Sequence, residues 1–174
     1  MYRITKILNH NTVLALNQED NQENLVMGKG VGFGRKPGER VEFPPDATVY
    51  QLSQKCDRGN PRDLVKRIDP LYLNIANAII LDAKNTFGQV DTSILIPMAD
   101  HIAFAAQRIQ KNAPIGNPLT PDIKALFPQE FQVACRGGEL IREQTGLRFS
   151  DDELGYIALH VHSSLESMQV SQAM

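Results

Sequence analysis

The chain has 174 residues, 42% apolar and 22% charged, with a formal net charge of −2. It is long enough for one domain or two small ones, and ordinary enough in composition to exclude wholesale disorder. The first 55 residues carry seven Lys/Arg against six Asp/Glu, or +1, and the remainder eleven against fourteen, or −3. Any hold on nucleic acid must therefore come from a local patch, since no global field exists to supply it.

Cys56 and Cys135 lie far apart, without metal-ligand spacing, and read as reduced thiols. The N-terminus lacks the apolar run of a signal peptide, and no stretch reaches about 18 apolar residues. A soluble, cytoplasmic protein is expected.

Residues 2–8 read as a first strand, with Tyr2, Ile4 and Leu8 on one side and Arg3, Thr5 and Ile7 on the other. Asn9-His10-Asn11 is a turn signal, and 12–16 a second strand. The polar run 17–24 reads as an exposed loop. Residues 25–33 form a third extended segment, followed by a turn at Pro37-Gly38 and short runs at 40–43 and 47–52. A β unit of this size buries little surface alone, so it is expected to dimerise.

Glycine stands at 28, 30, 32 and 34. If the strand continues through them, one face is bare backbone and the other carries Met27, Lys29, Val31, Phe33 and Arg35. A ring and cations beside a bare strip suit a nucleic-acid strand. The same stretch also reads as a glycine-rich hairpin with no ligand. It is neither a Walker-type phosphate loop, since no Gly-Lys-Ser/Thr ends it, nor a dinucleotide fingerprint, since its glycines have the wrong spacing.

Residues 53–62 form a polar joint. Beyond it the apolar period changes from two to about 3.6. One helix is expected over about 61–84, broken or kinked at Pro70, and another over about 93–110. A short helix follows at about 121–127, then one over about 129–144 that stops at Gly146. The last helix opens on Ser150-Asp151-Asp152-Glu153, a capping box in which Ser150 caps and Glu153 reaches back. The tail from about Ser167 is expected to fray. The fold class is thus a small antiparallel β-sheet domain, dimerising, followed by an all-α bundle of about five helices.

Of the four histidines, His160 and His162 point apart on one helix and cannot share a metal. No His-Glu-x-x-His or Gly-x-Ser-x-Gly occurs, and neither cysteine has an identifiable base, so metal hydrolysis and nucleophilic catalysis are unsupported. His10 reads as a turn residue and His162 as a surface or packing residue. On chemistry alone His101 and His160 read no differently.

The whole chain, over about 1–166, resembles the BglG/SacY/LicT-type transcriptional antiterminators. The resemblance is carried by Ile-Thr-Lys-Ile-Leu-Asn-His-Asn at 4–11 and Met-Gly-Lys-Gly-Val-Gly-Phe-Gly at 27–34. Further on it is carried by Met-Ala-Asp-His-Ile-Ala-Phe-Ala-Ala-Gln-Arg at 98–108, Asn-Pro-Leu at 117–119, Phe-Pro-Gln-Glu-Phe at 127–131 and Glu-Leu-Gly-Tyr-Ile-Ala-Leu-His at 153–160.

It implies a co-antiterminator RNA-binding domain at 1–54, a linker at 55–62, one PTS regulation domain at 63–168 and a tail at 169–174. It also implies a homodimer that grips a leader mRNA hairpin, so that the overlapping terminator stem cannot form. By motif position Lys6, Asn9, Asn11, Gly28, Lys29, Gly30 and Phe33 touch RNA. Phe33 offers its ring, the asparagines donors and acceptors, and the lysines charge. Lys29 stands where the family often has arginine, exchanging a planar fork for a point charge.

His101 and His160 match the family's phosphorylatable histidines, with Asp100 and Arg108 as neighbours and phosphotransferase-system proteins (HPr and a sugar-specific Enzyme II) as donors. The resemblance implies acceptors rather than catalysts, with no cofactor, no metal and no membrane insertion, so an enzyme is not expected. The family usually carries two regulation domains, and this chain stops after one, so the second domain's input is expected to be missing. The rival readings are a protein-interaction regulator with structural histidines and a helical phosphocarrier enzyme.

Overall fold

The computed structural model describes residues 1–52, 61–113 and 115–173, with side chains left out at 61, 62 and 168–173. Most of the polar joint and Cys56 fall outside the described residues. The chain divides into two compact units, Met1–Asn74 and Ile75–Met174.

The first unit is a five-stranded antiparallel sheet in the order β4-β1-β2-β3-β5. Its strands are β1 (Tyr2–Asn9), β2 (Thr12–Asn17), β3 (Glu23–Met27), β4 (Arg40–Val41) and β5 (Thr48–Gln51). In the central strand β2, Thr12, Val13, Leu14 and Ala15 are all fully buried, so both faces of that strand are covered. Val13, Ala15, Val26 and Val31 form a core cluster, against which Tyr2, Ile7, Phe43 and Ala47 pack.

The expected alternation along β1 fails in its middle. Ile4 pairs with Ala15, but Lys6 pairs with Leu14, so one extra residue is inserted. Such a bulge flips the phase of the residues that follow it, here Lys6 and Ile7, before a second register shift between Ile7 and Asn9. Tyr2 and Ile7, read as facing opposite ways, therefore pack on one cluster, and Lys6 is carried to the other face. The Thr5 hydroxyl donates to Leu14 O at 3.1 Å within the irregular stretch.

The third extended segment also ends sooner than the sequence reading has it. β3 stops at Met27, and 28–34 is a succession of turns. Gly30 and Gly34 adopt φ of 73° and 70°, which a strand cannot contain. Bonds from Val31 N to Gly28 O, from Phe33 N to Gly30 O and from Arg35 N to Gly32 O close each turn. The bare glycine face is therefore absent. The four glycines make a folded loop, with Val31 turned into the core and Phe33 turned out.

Six helices follow among the described residues, against about five expected. They are α1 (Pro61–Arg67), α2 (Pro70–Phe87), α3 (Leu95–Gln110), α4 (Thr120–Leu126), α5 (Pro128–Thr145) and α6 (Asp151–Ala173), with a 3-10 turn at Thr92–Ile94 before α3. The extra helix comes from Pro70, which splits the expected 61–84 helix. Proline begins a helix well and continues one badly. Asp69 caps the new start, accepting from Leu71 N at 3.0 Å.

Gly146, at φ 77°, ends α5 where expected. α6 continues to Ala173, through the segment read as a fraying tail. In the second unit α6 packs on α3, α4 and α5. Ile102, Ala105, Val133, Ile141, Ile157 and Val161 are fully buried in its core.

Candidate nucleic-acid interface and histidine site

The β1–β2 turn and the glycine loop are one construction, and Asn11 joins them. Asn9 Oδ1 accepts from Asn11 N at 2.9 Å, an Asx-type closure of the turn. Asn11 Oδ1 then accepts from Gly30 N at 2.9 Å, and Asn11 O accepts from Gly28 N at 3.0 Å. His10 O accepts from Gly32 N at 2.8 Å.

Phe33 is carried out of this scaffold with 68% of its surface exposed. Its ring meets His10 edge-on, with centroids 5.2 Å apart. Lys29 and Lys6 are exposed.

Asn9, Asn11, Gly28, Lys29, Gly30 and Phe33 are thus gathered at one end of the sheet. Lys6 stands apart, on the face of Leu14. Each asparagine oxygen accepts one backbone amide and keeps a second lone pair, so each side chain can still offer a ligand both a donor and an acceptor. The basic turn is weaker than it reads, because Arg35 donates to Glu39 at 2.8 Å.

Two residues at this end carry more than the sequence reading gave them. His10 is a partner of the exposed ring, which only its neighbourhood to the asparagines could have signalled. Gly32 allows the loop to lie on the turn. A Cβ there would stand 2.4 Å from Asn9 O and 3.1 Å from Val13 Cγ1. Gly32→Ala is expected to cost roughly 1–3 kcal/mol, the usual price of an overpacked contact, read as a lowered urea midpoint. An unchanged midpoint would show that the loop can lift off the turn freely.

The second site lies where α3 meets α6. The His101 and His160 rings are 5.7 Å apart between centroids, and Tyr156 lies 5.5 Å from His101. Arg108 Nη2 donates to both oxygens of Glu153, at 3.0 and 3.2 Å. That carboxylate is 1% exposed and stands 3.5 Å from His101 Nε2. Asp100 precedes His101 on α3 and is half-buried.

His101 Nε2 and Arg108 Nε are buried and, among the described residues, have no hydrogen-bond partner. Glu153 is the residue the sequence misplaces. Ser150 does cap α6, accepting from Glu153 N at 3.3 Å. The Glu153 side chain does not reach back, however, because a guanidinium is a stronger partner for it than one backbone amide.

Burial, helped by the Arg108 charge, pushes His101 down to about 4 from an ordinary 6.5. Burial, with the His101 charge second, pushes His160 to the same level. Both rings are therefore neutral at pH 7, and each keeps a nitrogen lone pair.

The unfolded chain takes up these protons first as pH falls. The histidines' share of stability is complete above pH 6.5 and is lost as pH falls from there toward about 4. The expected loss is on the order of 1 kcal/mol per pH unit for each ring. Urea midpoints at pH 7 and pH 5 measure it, and His101→Gln/His160→Gln should flatten the difference. An equally steep profile in that double variant would assign the loss to other groups.

His162 belongs to neither site. It stacks on Phe127 at 3.7 Å and lies 2.9 Å from Glu130 and 3.1 Å from Glu166. The reading of it as a packing residue agrees with that environment. Cys135 is a free thiol. Among the described residues no group of His, Cys, Asp and Glu could hold a metal, and no helix is long and apolar enough to cross a membrane.

Comparison with known proteins agrees with this division. Residues 2–57 match the CAT RNA binding domain and residues 74–164 the PRD domain. The "GlcA/glcB genes antiterminator" of Staphylococcus carnosus is 33% identical over 98% of this chain and 60% of its own length. The "Beta-glucoside operon antiterminator" of Dickeya chrysanthemi is 33% identical over 95% and 59%. The "Transcription antiterminator LicT" of Bacillus subtilis is 32% identical over 91% and 57%.

The chain thus spans about three fifths of the length of these relatives. The crystal structure of GlcT CAT-PRDI superposes with a TM-score of 0.77 at 30% identity, covering 94% of this chain and 98% of that one. The chain belongs to the family that joins a CAT RNA binding domain to a PRD domain.

Proposed function

We propose that this chain is the RNA-binding and first regulatory part of a transcriptional antiterminator of a sugar-utilisation operon. As a homodimer it holds a partly unpaired leader hairpin and so prevents the overlapping terminator stem from forming. The observation that carries the reading is the Asn11 clamp, which fixes the glycine loop and leaves Phe33 projecting beside the turn. A rigidly mounted, exposed ring is a stacking platform for unpaired bases, and it needs no sequence-wide positive charge.

In this reading Phe33 stacks, the Asn9 and Asn11 amides donate, Gly28 and Gly30 let the strand approach, and Lys29 and Lys6 meet phosphate. His101 and His160 accept phosphoryl groups from the sugar phosphotransferase system, by way of HPr and a sugar-specific Enzyme II. Their neutral rings suit that role, because an imidazole attacks phosphorus through its lone pair. The added charge would draw Arg108 away from Glu153 and so alter the packing of α3 on α6. The histidines then carry a signal and catalyse nothing.

A titration of the chain against a fluorescent, partly paired leader hairpin, with a fully paired duplex as control, tests the reading at two salt concentrations. Selective, salt-sensitive binding with two chains per hairpin is expected. Binding to neither RNA would overturn it and favour a protein-interaction regulator.

A further inference from the structure

We infer that His101 and His160 form a single-occupancy acceptor: either ring can be phosphorylated, and the first phosphoryl group excludes the second from the same chain. The inference rests on the reading of both histidines as phosphoacceptors. Their rings, one on α3 and the other on α6, are 5.7 Å apart between centroids. Tyr156 occupies another side of His101. The His101 side chain is 19% exposed, and His160 is half-buried.

Among the described ion pairs at this site, Arg108 is the one cation, and the buried Glu153 carboxylate already holds it. One phosphoryl group brings about two negative charges. Arg108 can meet these by turning from Glu153, and its unpartnered Nε is a further donor. A second phosphoryl group would bring a like charge within a few ångströms, beside Glu153, with no second guanidinium in the group. Charges this close and this withdrawn from water are poorly screened.

Phosphoramidate is a suitable probe because it needs no partner protein. The lone pair of an imidazole nitrogen forms the new N–P bond as the reagent's P–N bond breaks. Ammonia leaves and takes up the proton that the ring gives up.

The 174-residue chain is treated with excess reagent to a plateau, and fractional occupancy at 101 and 160 is read by peptide mapping under alkaline conditions. In the wild type the two occupancies are expected to sum to one. In His101→Gln and in His160→Gln, which keep ring-sized polar side chains, the remaining histidine should fill completely. If the wild-type sites are equally reactive, that is a twofold rise at each. A wild-type sum rising above one overturns the inference. So does a variant whose remaining histidine stays empty, since one acceptor alone would then explain the total. Absence of label at both positions in all three proteins overturns instead the phosphoacceptor reading beneath it.

Discussion

Arg108→Leu is expected to destabilise the helical unit by about 3 kcal/mol, the lower end of the range for breaking a buried ion pair. Glu153 is 1% exposed and depends on Arg108 for its two charge-assisted bonds. Without the guanidinium, a carboxylate would be left in the core without the two bonds that hold it. The lower end applies because the Arg108 side chain keeps 24% of its exposure and so loses less water on pairing.

The signature of this mechanism lies in the second substitution. Arg108→Leu/Glu153→Leu should recover most of the loss, since removing both charges is nearly neutral where removing one is not. Urea denaturation of the wild type and the two variants measures this. A single-variant cost within about 0.5 kcal/mol, the scale of surface substitutions, would mean that water reaches Glu153 freely. The pair would then be a solvated contact and not a switch held in place.

Phe33→Ala is expected to weaken hairpin binding by about 1–3 kcal/mol, the usual range for losing one base–aromatic stack, or about 5- to 150-fold in Kd. The fold should not notice. The ring is 68% exposed, and the loop that carries it is held by backbone bonds and by Asn11, neither of which the substitution touches. Equal affinity with and without the ring would remove Phe33 from the site. A fall in the thermal midpoint alongside lost affinity would make its contact with His10 a structural one. Salt dependence separates this effect from that of Lys29, whose loss should lower the salt slope where loss of Phe33 should not.

Much of this architecture follows from local rules. Two periods of hydrophobicity divide the chain into a sheet part and a helical part. Pro70 breaks a helix where proline must, Gly146 ends one, and Ser150 begins one. The motifs around Asn9, Phe33, His101 and His160 point to the two sites as well. These features depend on a residue and its near neighbours in sequence, so a single sequence contains them.

Three features do not follow from local rules. The bulge in β1 depends on the partner strand, against whose Val13–Ala15 face Ile7 packs better than Lys6 would. The glycine loop is read as strand because alternating glycines mimic a strand's period. Its real shape depends on Asn11, nearly twenty residues away, which supplies the acceptor for Gly30. Glu153 sits in a capping box and leaves it for Arg108, 45 residues earlier in the chain.

In each case a long-range partner offers more than the local one. A buried charge-assisted bond outweighs an exposed cap, and a core contact outweighs an unbroken alternation. Tertiary structure decides such contests because only the folded chain brings both competitors within reach.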